Sequence, residues 1–313
     1  MKSNYRYIVK AFMAMAVIAG TTSCDDFLDR EPMSSISPET YYSTAAQLEA
    51  NLNDEYPNVL PSFGQWTYGI FGEDKGTDNQ IEVNANDRYT QDRWKVPHSE
   101  SDNWKFERIY RINFFLSEAL PKFGEDMSGS QNTISGSVAT IKHYIGEMYF
   151  LRAYEYFKKL QLFGDFPIID QPLADEMEAL REASKRFPRN EVARFIISDL
   201  DKAYAYMSDV DMATTRINKD AAMLVKSRVA LFEATWLQNF KGTAFVPGGE
   251  GWPGASLHNN YQYPSGNLDN EVKYFLEQAV EASKLVADKY KGNLTENTGV
   301  LQQSADDPVK SLL

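Results

Sequence analysis

Apolar residues recur three and four apart in one long segment after another, and most of these segments stop beside a glycine or a proline. That rhythm confines the chain to a mainly α fold. Six segments carry it. Residues 38–56 open behind Ser37 as a cap, with Pro38 suited to the first turn and Pro57 expected to stop the helix. Residues 104–123 place Ile109, Ile112, Leu116 and Leu120 on one stripe, and residues 137–163 place Ile141, Ile145, Met148, Tyr149, Arg152, Tyr156 and Leu160 on one flank. Residues 190–207 and 219–240 follow, then residues 270–290 with Tyr274, Leu276, Ala279, Val280, Leu285 and Val286. Gly124, Gly164, Gly242 and Gly292 stand just past four of the ends, where glycine reaches the left-handed conformation that caps the last carbonyls.

Successive segments pair as 104–123 with 137–163 and 190–207 with 219–240, which leaves the sixth without a following partner. Small residues such as Ala153, Ala222 and Ala230 allow close approach, and the pairs look like degenerate tetratricopeptide units. The Trp-Leu-Gly-Tyr consensus of that repeat is absent, so unrelated helical packing stands as the alternative. Two long irregular stretches, 61–103 and 243–268, interrupt the helices, and loops of that length are uncommon unless functional.

The first 23 residues are an address. Lys2, Arg6 and Lys10 precede an apolar run from Ala11 to Ala19, too short to cross a bilayer, and small residues lead to Cys24. A small-residue run ending in cysteine resembles a bacterial lipobox, in which the thiol is acylated and becomes the first mature residue; Thr21 departs from the usual leucine. Cleavage would remove three cations and no anion, taking the formal charge from -12 to -15. Acyl chains on Cys24 are then the expected membrane attachment. Asp25 and Asp26 resemble the export signal that carries lipoproteins of Bacteroidetes-type bacteria to the cell surface.

Composition narrows the chemistry. With 44 acidic and 32 basic residues, the chain lacks the basic stripe that a phosphate backbone demands, which argues against nucleic acid. A single cysteine excludes an intrachain disulfide and a multi-cysteine metal site. There is no Gly-x-Ser-x-Gly elbow, no His-Glu-x-x-His and no phosphate-cradling glycine loop, and His98, His143 and His258 are far apart, so neither an enzyme nor a resident metal or other cofactor is expected. Calcium is conceivable through scattered Asp and Asn, although no EF-hand loop is present.

The aromatics, at 13% of the residues, exceed what a core needs. Sugars stack their C–H faces on exposed rings and exchange hydrogen bonds with planar polar groups. The 61–103 loop offers Trp66, Tyr89 and Trp94 among Asp78, Asn79 and Arg88, and the 243–268 loop offers Trp252 and Tyr261. Trp94, between Arg93 and Lys95, is the leading ligand contact, with Trp66 and Tyr89 next. Each ring has a second reading, as an anchor that pins its loop to the helices beneath. Trp104 opens a helix and is expected to pack. The acidic total charge mildly favours neutral sugars over anionic ones and leaves cationic peptides open.

Three stretches carry a family resemblance. They are Cys24-Asp25-Asp26-Phe27-Leu28-Asp29-Arg30-Glu31-Pro32, the third-helix run from Gly146 to Phe157, and Leu162-Phe163-Gly164-Asp165-Phe166-Pro167, joined by Trp104, Tyr110 and Asn113. Together they resemble the SusD/RagB family of outer-membrane nutrient-binding lipoproteins. The resemblance implies a SusD-like α/α superhelix over residues 24–313 and a lipid-anchored protein facing the cell surface. It further implies capture of oligosaccharides, or of peptides in the RagB branch, without catalysis. The ligand would pass to a partner TonB-dependent, SusC-like barrel, over which the protein acts as a lid; a helical adaptor that only supports the transporter is a further alternative. Within the motif, Glu147, Arg152, Gly164, Asp165 and Pro167 are expected to serve architecture, with a buried arginine requiring carboxylate or carbonyl partners. Members of the family carry a loop-rich C-terminal half that this chain lacks, so a fragment or a truncated product is expected.

Overall fold

The computed structural model describes residues 41–61, 80, 103–124, 126–208, 212 and 215–292. Seven α-helices and no strand lie among them: α1 Ala45–Val59, α2 Glu107–Phe123, α3 Val138–Phe163, α4 Met177–Ala183, α5 Arg189–Tyr206, α6 Lys219–Asn239 and α7 Leu268–Tyr290.

Helix α3 is the axis of the fold. Its 26 residues include buried positions on every side, as a helix surrounded by others requires. α1 and α2 pack on it from one direction and α5 from another; α6 then packs on α5 and α7 on α6. One hydrophobic cluster runs from Tyr42 and Leu48 in the first layer to Phe275 and Val286 in the last. Gly146 marks the closest approach in this stack, because a Cβ there would lie 2.8 Å from the Met207 nitrogen and 3.0 Å from the Ala203 carbonyl at the end of α5.

Local signals set the helix starts. Thr44 and Gln47 form a capping box at α1, and Ser137, Asn218 and Asn267 each accept a backbone N–H at the heads of α3, α6 and α7. α5 has no side-chain cap of its own; its first N–H, from Arg189, donates to Asp165 Oδ1 at 2.9 Å.

Two expectations need correction. Pro57 does not stop α1, which continues to Val59; a proline one turn from the end forfeits a single hydrogen bond, and burial of Val59 holds the last turn in the core. The cap at Ser37 lies outside the described residues. The packing stripe of α7 is Val272, Phe275, Ala279, Ala282 and Val286, while Leu276, Val280 and Leu285 face outward. α7 packs on the preceding helix α6, the most extensive contact between any two of the described helices. The short α4 had no counterpart in the sequence reading, because it buries none of its residues and its Met177 is 82% exposed.

The family motif is tied together by hydrogen bonds across the stack. Arg152, 3% exposed, forks onto Asp199 of α5 at 2.6 and 2.9 Å and reaches Asn113 Oδ1 at 2.8 Å and the Asp170 carbonyl at 2.9 Å. Asn113 and Tyr156 both donate to the Ile169 carbonyl, and Tyr156 accepts the Ile169 N–H, so the extended stretch after Pro167 is docked on α2 and α3. Glu147 pairs with Arg216, two bonds from Nε and Nη2, and lies 2.9 Å from His143 Nε2. The Ser208 N–H donates to His143 Nδ1, which places the ring proton on Nε2, toward the Ile217 carbonyl. These groups are satisfied helix-to-helix, as a buried arginine and glutamate must be.

Candidate functional site

At the far end of α3 the chain leaves the core through Gly164, whose φ of 68° ends the helix. Phe166 then pairs with Phe187 in an isolated antiparallel bridge, so the chain departs into α4 and returns beside its own exit. This return sets Arg186 and Arg189 next to Asp165. The loop after α6 folds over the same point, and between them lies a cleft of about 510 Å³.

Its walls are Gln161, Leu162 and Phe163 at the end of α3 with Gly164 and Asp165 just beyond it, Arg186 and Arg189 leading into α5, Trp236 of α6, and Ala244, Phe245 and Trp252–Gly254 with Leu257 from the loop. Phe245 is the exposed ring, at 61%, and Leu162 and Leu257 are also open to solvent. Two further hollows lie among the described residues. One of about 250 Å³, bounded mainly by Phe106, Ile109, Tyr110, Ile169, Leu173 and Leu180, offers few polar groups. The second, beside Arg194, Lys202 and Tyr274, is shallow. Of these three, the first gathers the most rings, Phe163, Trp236, Phe245 and Trp252, beside Asp165, Arg186 and Arg189, whereas the hollow at Arg194 has the single ring of Tyr274 among Arg194, Asp201 and Lys202.

The loop over the cleft is pinned along its length. Trp252 Nε1 donates to Asp165 Oδ2 at 2.7 Å, Trp236 Nε1 to the Phe245 carbonyl at 3.0 Å, and Tyr263 to the Pro247 carbonyl at 2.6 Å. The Tyr261 hydroxyl exchanges bonds with Asn190 at 2.9 and 3.1 Å. His258 Nε2 sits 2.8 Å from the Arg186 carbonyl. An aromatic chain of Trp252, His258, Tyr261 and Tyr263 runs through the fold of the loop.

Beneath the cleft, Arg189 forks onto Glu233 at 2.9–3.1 Å and lies 4.1 Å from the Trp236 ring centroid. Burial raises the Glu233 carboxyl above its ordinary value, and the Arg189 guanidinium only partly offsets it. Burial likewise raises Asp165, against the hydrogen bonds from Trp252 and the Arg189 N–H. The Tyr261 and Tyr263 hydroxyls are raised for the same reason.

Of the ring contacts expected from sequence, Trp252 is 5% exposed and Tyr261 is half-buried; both act as anchors, with Trp252 still forming part of the cleft wall. Trp66, Asp78, Asn79, Arg88, Tyr89, Trp94 and the lipidation position Cys24 lie outside the described residues. Trp104 packs as expected, edge-on to Phe106, Phe163 and Phe166. Arg186, Arg189 and Trp236 were not singled out by sequence. Arg186 and Arg189 lie on the segment that enters α5, which the 166–187 bridge sets beside Asp165, and packing of α6 on α5 brings Trp236 against Arg189; no periodicity announces either contact. Among the described residues, no three His, Cys, Asp or Glu side chains converge as a metal site would require, and no helix is long and apolar enough to cross a membrane.

Residues 26–231 match the family model described as SusD-like, starch-binding associating with outer membrane. Two curated SusD-like proteins of Formosa agariphila are similar: one is 25% identical over 253 residues, covering 77% of this chain and 46% of the relative, and another is 25% identical over 233 residues, covering 68% and 41%. The chain thus spans under half the length of these relatives. Among solved structures, a SusD-like carbohydrate binding protein from Bacteroides vulgatus aligns with a TM-score of 0.44 at 13% identity, over 82% of this chain and 47% of that one. A SusD-like protein from Bacteroides fragilis aligns with a TM-score of 0.43 at 20% identity, over 68% and 40%. With the family model covering most of its length, the chain belongs to the SusD-like family.

Proposed function

We propose that this member of the SusD-like family is a lipid-anchored protein of the outer cell surface that binds oligosaccharides and passes them to a TonB-dependent, SusC-like barrel. It closes over that barrel as a lid and performs no chemistry of its own. The observation that carries the binding half is the cleft at the end of α3, where an exposed phenyl ring, two indoles and two guanidinium groups share one wall system on a pinned loop. Rings stack on the C–H faces of sugars, and a rigid platform loses little entropy on binding. The family's description as starch-binding and associating with the outer membrane supports the same reading.

The test is calorimetric binding of the detergent-solubilised full chain to a glycan panel and a peptide panel in parallel. Binding to at least one glycan, displaced by no peptide, is the expected result; binding confined to peptides replaces this reading with the RagB-like one. The anchor has its own test. Cys24→Ala is expected to shift the protein from the washed membrane fraction to the soluble fraction, and unchanged retention on membranes removes the acyl anchor from the proposal.

A further inference from the structure

The cleft's polar groups are unequally engaged, and that inequality points to a class of sugar. Each Asp165 oxygen is already engaged, Oδ1 by the Arg189 N–H and Oδ2 by the Trp252 indole N–H. Arg189 is committed to Glu233 and covered on one face by Trp236. Arg186 differs. Among the described residues its guanidinium makes no ion pair and no hydrogen bond, which is otherwise true only of Arg228 on α6, outside the cleft lining, whereas Arg108, Arg111, Arg152, Arg181, Arg189, Arg194 and Arg216 all have carboxylate partners.

Arg186 is also held in place. Its guanidinium carbon lies 4.6 Å from the centroid of the Trp104 ring, whose own position is fixed by Phe163 and Phe166. Its carbonyl is within hydrogen-bond distance of His258, and the next residue, Phe187, is bonded in both directions to Phe166. A guanidinium lying on an indole keeps its N–H edge available, loses little freedom when it binds, and matches carboxylate or sulfate geometry with two parallel bonds.

We propose that the cleft selects an acidic sugar, a uronate or sulfated residue, with Arg186 as the residue that reads the anionic group while Phe245 stacks on the ring. This deepens, and rests on, the carbohydrate reading above. It runs against the chain's overall charge of -12, which disfavours anionic ligands at long range. Screening over about 8–10 Å in physiological salt leaves selection to the groups that touch the ligand.

The experiment uses the full chain in detergent and a panel that pairs acidic glycans (polygalacturonate, alginate, chondroitin sulfate) with neutral ones (amylose, xylan, β-glucan, methyl-esterified galacturonan). The expected result is binding to at least one acidic member. Arg186→Gln should weaken that binding about tenfold or more and leave the melting temperature unchanged, because the side chain is exposed. Arg186→Lys, which keeps the charge and loses the fork, should fall between the two, and added salt should weaken the wild type more than Arg186→Gln. Binding confined to neutral members, or acidic binding that Arg186→Gln leaves intact, overturns the assignment while the carbohydrate reading stands. Silence across the whole panel overturns both.

Discussion

Arg152 and Arg186 lie on the same side of the fold's logic until their partners are compared. Both are arginines set against aromatic rings near the family motif, Arg152 beside Tyr149 and Phe195 and Arg186 over Trp104. Arg152 is buried and its donors are spent on Asp199, Asn113 and the Asp170 carbonyl, so it can only hold helices together. Arg186 keeps its donors and faces a cleft. Residue type therefore says little about role in this protein, and the state of each hydrogen-bonding inventory says much.

The largest effect should come from the committed arginine. Arg152→Ala strands the Asp199 carboxylate inside the α3–α5 interface and is expected to destabilise the protein by about 3–5 kcal/mol in urea denaturation. A loss near zero would mean that Arg152 is not the clamp described and would dissolve the contrast with Arg186.

A second committed group sharpens the comparison through pH. Burial alone would raise Glu271, but hydrogen bonds from Arg194, Asn190 and Ser265 outweigh it and leave the carboxyl below its ordinary value of 4.5. A depressed acid contributes stability above its unfolded-state pKa and loses it as pH falls through the folded-state value. Glu271→Gln is thus expected to cost about 1.5–3 kcal/mol at neutral pH, the scale of hydrogen bonds to a charged group. The gap to wild type should narrow as denaturation is repeated below pH 4.5. A gap that stays constant with pH would show that packing, and not charge, explains the loss.

The smallest effect belongs to the cleft. Phe245→Ala removes a largely exposed ring, so stability should hold, while glycan affinity should drop by about 0.5–1.5 kcal/mol, the worth of an aromatic contact. Loss of stability with unchanged affinity would move Phe245 to the class of loop anchors, beside Trp252 and Tyr261.

Much of the fold was legible in the residues, and for identifiable reasons. Helix α3 occupies the expected 137–163 segment to within one residue, with Ser137 as its cap and Gly164 past its end, because caps and a glycine of positive φ are local signals that act within one turn. The buried flank from Ile141 to Leu160 was visible in its spacing. α7 was misjudged because its apolar residues lie on more than one face, and only the position of α6 decides which face is buried. α4 escaped notice because its residues answer to no core at all. The cleft was legible only in part: the rings of the 243–268 loop stood out, but not which of them would be spent as anchors.

What the sequence determined by itself was the succession of helices, their caps and the motif that marks the family, since propensity, capping and periodicity act over neighbours a few positions apart. What only the tertiary structure decided was which polar groups remain free. Asp165 and Trp252 are 87 positions apart, and Arg189 and Glu233 44 apart, yet each consumes the other's hydrogen bonds. Whether a donor is available to a ligand depends on what the folded chain has already placed against it, and such pairings are made only when distant segments meet.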